Sequence, residues 1–356
     1  MEKEKITVLY FGPITPKGEP SRGGYEAANR KNIDALRERG IEVVEFSNPQ
    51  INRRIGPIGK LAYIKLFFLP LHLWKHRNRK KVILHTTPLY SHLLYPTLFT
   101  VRIAYMLKIP VLVDIRAGAL ITCWENKTFI FRRHIKELLN KATAITVESK
   151  TYIKQIKEII GINKQVIYFP NVANCSNLQK IAKPDGLLNI FYFGRITKTK
   201  GISIMLNAIH RLGSRYKLYI AGTFGPDYSA KDLEKENVEY LGFLTPEQLK
   251  CQMSRMHFFI FPTSHVGEGQ SNSLIEAMSN GLIPVVSDQG FNAEVVGENG
   301  KVLPKGSSDA DYAKAIEELS SGDINAKALA CQKQIIKFHN LDIEIQKLIQ
   351  IYKALV

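Results

Sequence analysis

Cysteine is scarce in this chain. Its 356 residues hold four, Cys123, Cys175, Cys251 and Cys331, and no two form a Cys-x-x-Cys pair. That scatter argues against a cysteine zinc site and against a disulfide framework, and makes a reducing cytoplasm the expected setting. Long apolar runs are missing as well: none reaches the roughly 18–20 residues that span a bilayer. The opening MEKEKITVLYFG passes from mixed charge straight into a strand-like run and does not read as a signal peptide. No fixed-period repeat, low-complexity tract or known RNA- or DNA-binding module is present, and the Gly-x-Gly-x-x-Gly dinucleotide fingerprint is absent. Acidic residues are short in one half only. Residues 1–180 hold 30 Lys and Arg against 13 Asp and Glu, whereas residues 181–356 hold 19 of each. The entire net charge of +17 therefore sits in the first half, which calls for an anionic partner or surface.

What is present is an alternation of short apolar runs with helical patterns. In the first half ITVLYF (6–11), IEVVEF (41–46), KVILHT (81–86), PVLVDI (110–115), AITVES (144–149) and QVIYFPN (165–171) read as strands. In the second, LNIFYFG (188–194), KLYIAG (217–222), VEYLG (238–242), FFIFP (258–262) and IPVVS (283–287) do the same. Such alternation predicts α/β architecture with parallel sheets. Two Rossmann-like domains are expected, a basic one over 1–171 and a second over 188–338. Residues 339–356 carry apolar side chains at helical spacing and predict an amphipathic helix, which is expected to cross back to the first domain.

Two patterns carry chemistry. FGRITKTKG (193–201) places cations after a strand. In PTSHVGEGQSNSLIEAMSNGLIPVVSD (262–288), Glu268 and Glu276 stand seven residues apart, between a strand and the start of a short helix. Both patterns fall at the carboxyl edge of a predicted parallel sheet, where open α/β sheets bind ligands. Cations and helix N-termini at such an edge suit a diphosphate whose charge grows as a bond breaks.

These motifs, with VEYLGFLTPEQL (238–249) and GFNAEVVGENGKVLP (290–304), resemble the retaining GT-B glycosyltransferases of family 4, the group 1 glycosyl transferases. The resemblance is densest over 189–304. It implies the GT-B fold, two Rossmann-like doubly wound parallel-sheet domains facing a cleft. It also implies transfer of a sugar from a UDP- or GDP-sugar with retention, without metal or other cofactor. On it, Arg195 and Lys200 match the positions that hold the diphosphate, Glu268 the one near the donor sugar, and Glu276 the one on the ribose. Gly269, Gln270, Ser271 and Asn272 would bring amides and side chains to sugar and phosphates. Gly23 and Gly24 would face the phosphates from the first domain, and Arg116 stands where a family histidine meets the donor sugar.

Plainer readings accompany each. Ser273 and Glu276 have capping-box spacing; Gly23 and Gly24 are equally a flexible helix entry; Arg116 is equally a strand-end partner of Asp114. His265 suits a solvated loop as well as a ligand. Asp309 and Asp311 read as acidic residues at a helix start rather than a metal pair. Residues 58–81 combine an apolar stretch, Trp74 and a cationic end, which suits a membrane interface, although Pro70 is expected to interrupt a single helix there. The expected acceptor is a glycan or polyprenyl-diphosphate-linked glycan of bacterial surface polysaccharide synthesis, met by a cytoplasmic protein peripheral to the inner face of the plasma membrane. Base recognition is expected near Gly242–Leu244. A GT-B nucleotide-sugar 2-epimerase and a non-catalytic nucleic-acid-binding protein are the competing readings, and nucleic acid is not expected as a partner.

Overall fold

A computed structural model describes residues 5–15, 23–47, 68–78, 81–116, 118–175 and 186–356. The chain divides into two compact units, residues 1–170 with 341–356, and residues 171–340.

The first unit runs β1 (Thr7–Gly12), α1 (Gly24–Glu38), β2 (Glu42–Ser47), helical residues 68–76 (α2), β3 (Val82–Thr86), α3 (Leu94–Met106), β4 (Val111–Ile115), α4 (Leu120–Asn126) and α5 (Phe129–Lys141). β5 (Ala144–Val147), α6 (Lys150–Gln155), a π-helical turn (Ile156–Ile160) and β6 (Val166–Tyr168) complete its first part. The strands form one parallel sheet in the order β2-β1-β3-β4-β5-β6. β1, β3 and β4 are buried at every residue, as expected of near-continuous apolar strands covered on both faces. α1 stops where the sequence provides Gly40, whose φ of +79° is open to glycine at little cost.

The second unit runs β7 (Leu188–Phe193), a 3₁₀ turn (Lys198–Lys200), α7 (Ile202–Leu212), β8 (Tyr216–Ala221), β9 (Val238–Tyr240), α8 (Pro246–Met253), β10 (Phe258–Phe261) and α9 (Asn272–Ser279). β11 (Ile283–Ser287), α10 (Asn292–Val296), β12 (Lys301–Leu303), α11 (Asp309–Ser320) and α12 (Ile324–Phe338) follow. Its parallel sheet has the order β12-β11-β10-β7-β8-β9. The chain leaves β7 toward one edge through β8 and β9, then returns to lay β10 against the other side of β7, pairing Phe258 with Ile190 and Phe259 with Phe191. The gap between β7 and β10 is thus the point where strand order reverses.

The final helix, α13 (Leu341–Leu355), packs in the first unit, where Ile345, Leu348, Ile349 and Tyr352 are buried with Ile33, Leu36, Ile6 and Val8. Their helical spacing is the pattern the sequence displays. Tyr352 OH meets His85 Nδ1 at 2.5 Å beneath the sheet. Pro70 lies within helical residues 68–76; of the 58–81 stretch singled out in the sequence, residues 58–67 and 79–80 lie outside the described residues.

At the crossings, Ala173 N donates to His339 O (2.9 Å), and Ala173 bridges Asn340 in parallel. His339 Nδ1 lies 2.8 Å from the Asn171 carbonyl and so carries the proton there. Burial pushes this imidazole from 6.5 down to about 4, against the Asn171 contact, which favours the charged form. Between those pH values the unfolded chain binds a proton that the folded unit refuses. Stability is therefore full above pH 6.5 and falls by about 3 kcal/mol on descent to pH 4. Urea unfolding at pH 7 and 4.5 should show this loss in the wild type and a smaller one in His339→Gln; equal losses in both would refute the assignment.

Candidate active site

The site grows from the carboxyl ends of β7 and β10. β7 ends at Phe193, and Arg195 follows on an exposed turn whose backbone is held by Tyr192, its hydroxyl donating to Arg195 O at 2.6 Å. The next turn reaches the β10 loop directly. Thr199 O accepts from Ser264 N at 2.8 Å. Gly201, with φ +77°, makes this approach feasible, since a Cβ there would lie 2.3 Å from Pro262 O.

Locking the loops together brings Lys200 Nζ to 2.5 Å from Glu268 Oε2, with the two side chains 20% and 11% exposed. Thr263 Oγ1 also donates to Glu268 Oε2, at 3.1 Å. Behind them Gly290, φ +62°, lets its own turn lie against the Glu268 backbone, where a Cβ would stand 2.5 Å from Glu268 O. His265 joins the group: partial burial, then Lys200 and Arg195, lower its pKa, while Glu268 works the other way. Arg195, Lys200, His265 and Glu268 thus share one electrostatic environment. Thr263 is a residue that sequence reasoning missed; its only signal was its position directly after FFIFP.

α9 starts at this cluster. Ser271 is its N-cap and accepts from Leu274 N at 3.4 Å, while Ser271 Oγ and Ser273 Oγ lie 2.9 Å apart. With Ser271 as cap the third helical residue is Leu274, so the Ser273–Glu276 capping box does not form. Glu276 is half-buried on the second turn. Asn272 is the first helical residue, and Gly269 O accepts from Phe291 N at 3.3 Å. Gln270 turns inward: its Oε1 accepts from Asn171 N and its carbonyl from Asn171 Nδ2, both at 2.9 Å. Its carboxamide oxygen thereby ties the glutamate loop to Asn171.

A family model described as glycosyl transferases group 1 matches residues 188–321, from β7 into α11. This second unit is a group 1 glycosyltransferase domain. Curated relatives include an uncharacterized 41.2 kDa protein in the cps region of Klebsiella pneumoniae, 25% identical over 65% of this chain and 66% of its own. Another is a GDP-mannose:cellobiosyl-diphosphopolyprenol alpha-mannosyltransferase from Xanthomonas oryzae pv. oryzae, 27% identical over 42% of each chain. The alignments thus span less than two thirds of these relatives. Among solved structures, sucrose-phosphate synthase from Thermosynechococcus elongatus superposes with TM-score 0.71 at 17% identity, covering 98% of this chain and 99% of its own. HepE from Anabaena in complex with UDP also gives 0.71, at 15% identity over 98% and 100%. The fold is therefore GT-B, two Rossmann-like parallel-sheet domains.

Outside the glycosyltransferase domain, Gly23 and Gly24 lie at the start of α1 in the first unit, Gly23 as its N-cap in extended conformation; residues 16–22 of their loop lie outside the described residues. Arg116, also in the first unit, forms the strand-end ion pair: Nε lies 2.5 Å from Asp114 Oδ2, its side chain is 1% exposed, and its guanidinium covers the Phe169 ring at 4.6 Å. Within the glycosyltransferase domain, Asp311 caps α11 through Ser308, and Asp309 pairs with Arg211 Nε at 2.5 Å. Both aspartates are held below the usual carboxylate range by these hydrogen bonds. Among the described residues no group of three or more His, Cys, Asp or Glu is placed to hold a metal ion. Gly242 O accepts from Gly222 N at 2.8 Å, so the Gly242–Leu244 backbone lies at the end of β9.

Proposed function

We propose that this protein transfers a sugar from a nucleotide-diphosphate sugar to a glycan or polyprenyl-diphosphate-linked glycan, with retention at the anomeric carbon. The observation that carries the reading is the meeting of Arg195, Lys200 and Glu268 with the start of α9 at the β7/β10 switch point, the ligand-binding position of open α/β sheets. The donor diphosphate would take Lys200 from Glu268, and Arg195 would add a second cation. Glu268, released, would accept hydrogen bonds from the donor sugar, and Glu276 from the ribose. In the transfer step the acceptor oxygen bonds to the anomeric carbon on the face the diphosphate leaves. The acceptor proton passes to a departing phosphate oxygen, and the growing charge is met by Arg195, Lys200 and the α9 amides. Because these cations can neutralise the diphosphate, transfer is expected without added divalent metal.

Two comparisons support the substrate classes. The Xanthomonas mannosyltransferase is named for a GDP-sugar donor and a diphosphopolyprenol-linked acceptor, and HepE was solved with UDP and with UDP-glucose. The acceptor of a surface polysaccharide pathway would be met at the inner face of the membrane, which suits the basic first half. No described helix is long and apolar enough to cross a membrane.

A thermal-shift panel of UDP, GDP, ADP, CMP and their sugars, without metal, tests the donor. One nucleotide class should raise the melting temperature of the wild type and leave Glu276→Ala unmoved. Absence of any shift would reject the donor site. Turnover of the nucleotide sugar with no acceptor present would replace transfer with epimerisation.

A further inference from the structure

Right-handed crossovers place α2, α3 and α5 on one face of the first sheet, opposite α1 and α13. α3 and α5 run parallel in a fixed register. Tyr95 packs 6.4 Å from the Phe131 ring, Arg102 holds Glu137 through Nε (2.8 Å) and its terminal nitrogen (2.7 Å), and Lys141 Nζ lies 4.2 Å from the Tyr105 ring. Their inner positions bury Leu94, Leu98 and Val101 on α3, and Phe131, Ile135 and Leu138 on α5.

The outer positions are not those of an ordinary solvated face. Tyr95, Phe99, Tyr105, Met106, Phe129 and Ile130 are each between 48% and 78% exposed. Large apolar groups gathered this way on two adjacent helices mark an interaction surface. Between them, a groove of about 380 Å³ is lined by Tyr105, Arg133, Lys136, Glu137, Asn140 and Lys141. Its one carboxylate, Glu137, is already neutralised by Arg102, which leaves three cations facing the opening. No Asp or Glu occurs from residue 46 to 113, so neither α2 nor α3 supplies a counter-charge. On α2 the pattern recurs, with Phe68, Leu71 and Trp74 exposed and Arg77 stacked 4.0 Å from the Trp74 ring.

We propose that the outer face of α3 and α5 docks on an anionic phospholipid bilayer. Phe99, Met106, Phe129 and Ile130 enter the boundary between headgroups and acyl chains, and the Arg133–Lys136–Lys141 groove takes lipid phosphate. Exposed apolar side chains interleaved with cations are the composition that binds such an interface, apolar burial and attraction to anionic lipid acting together. A second copy of the chain is a poorer occupant, because a two-fold contact would set this net-positive patch against an identical net-positive patch. The inference is independent of the donor site, which lies in the other unit.

Sedimentation of the full chain with phosphatidylcholine vesicles, with and without phosphatidylglycerol, tests it. Binding should require phosphatidylglycerol. Arg133→Gln with Lys136→Gln should weaken it about thirtyfold, about fivefold for each of the two basic residues near a charged surface. Phe99→Ser with Phe129→Ser should remove the part that survives high salt. Both variants should keep their circular dichroism and their nucleotide-induced thermal shift, which separates failure here from failure of the donor reading. Unchanged sedimentation of both variants would overturn the proposal. So would loss confined to a Lys75→Gln, Arg77→Gln variant of the α2 end, or a concentration-dependent dimer abolished by the Phe99→Ser change.

Discussion

Replacing Arg195 by alanine should lower the rate of sugar transfer by about a hundredfold to a thousandfold, the usual cost of deleting one group that stabilises charge developing in a transition state. Folding should be unaffected, because the structure uses the backbone of this residue and not its side chain: Tyr192 OH binds Arg195 O, and the side chain is exposed. Lys200→Ala should be as damaging to transfer but less clean, since it also strips Glu268 of an ion-pair partner 2.5 Å away. A double-mutant cycle over Lys200 and Glu268 should consequently be non-additive. The measurement is kcat/KM for transfer to a defined acceptor, with melting temperature as the control on folding. Wild-type turnover by Arg195→Ala would remove this residue from the diphosphate site.

Asp114→Ala should destabilise the first unit by about 3–5 kcal/mol, the range for removing one partner of a buried ion pair. A loss of that size lowers the melting temperature by roughly 6–20 °C for a unit of this size. Asp114 is fully buried at the end of β4, with Arg116 Nε at 2.5 Å, Thr146 Oγ1 at 2.8 Å and His85 Nε2 at 3.4 Å. Burial opposes its charge, yet Arg116 and His85 hold the carboxyl below its usual range. Alanine would leave the Arg116 charge in the interior without the carboxylate that contacts its Nε. Asp114→Leu combined with Arg116→Met removes both charges and should recover much of the loss. Calorimetry of the single and double variants decides the point; a single variant within about 1 kcal/mol of wild type would refute a structural role for the pair. This prediction also separates the two sequence readings of Arg116. A partner of Asp114 changes melting when removed, whereas a ligand contact changes KM.

Much of the architecture was legible because parallel strands covered on both faces must be apolar throughout, and helices between them must carry one apolar stripe. LNIFYF, FFIF and IPVVS appear in the structure as β7, β10 and β11 within a residue of their sequence limits. The 345/348/349/352 stripe of α13 was equally plain. Local hydrogen-bond competition was not. Ser271, rather than Ser273, caps α9, because the chain has to turn at Gln270 to meet Asn171, and nothing in the SNSLIE run records that bond. Arg116 was ambiguous for a similar reason: a cation after a strand reads the same whether it turns outward or back under Phe169.

By itself the sequence determined the residue types the chemistry needs and the strand ends on which they stand: Arg195 and Lys200 after one strand, Glu268 and Glu276 after another. Periodicity is a local property, and it fixes each of those positions relative to its own strand. It does not say which strands are neighbours. That was decided by tertiary structure, when the chain returned from β9 to pair β10 with β7 and so set Glu268 against Lys200, 68 residues earlier in the chain. The α3–α5 surface has the same origin. Phe99 and Arg133 are unremarkable in separate helices and become one face only when a parallel sheet and right-handed crossovers lay the helices side by side.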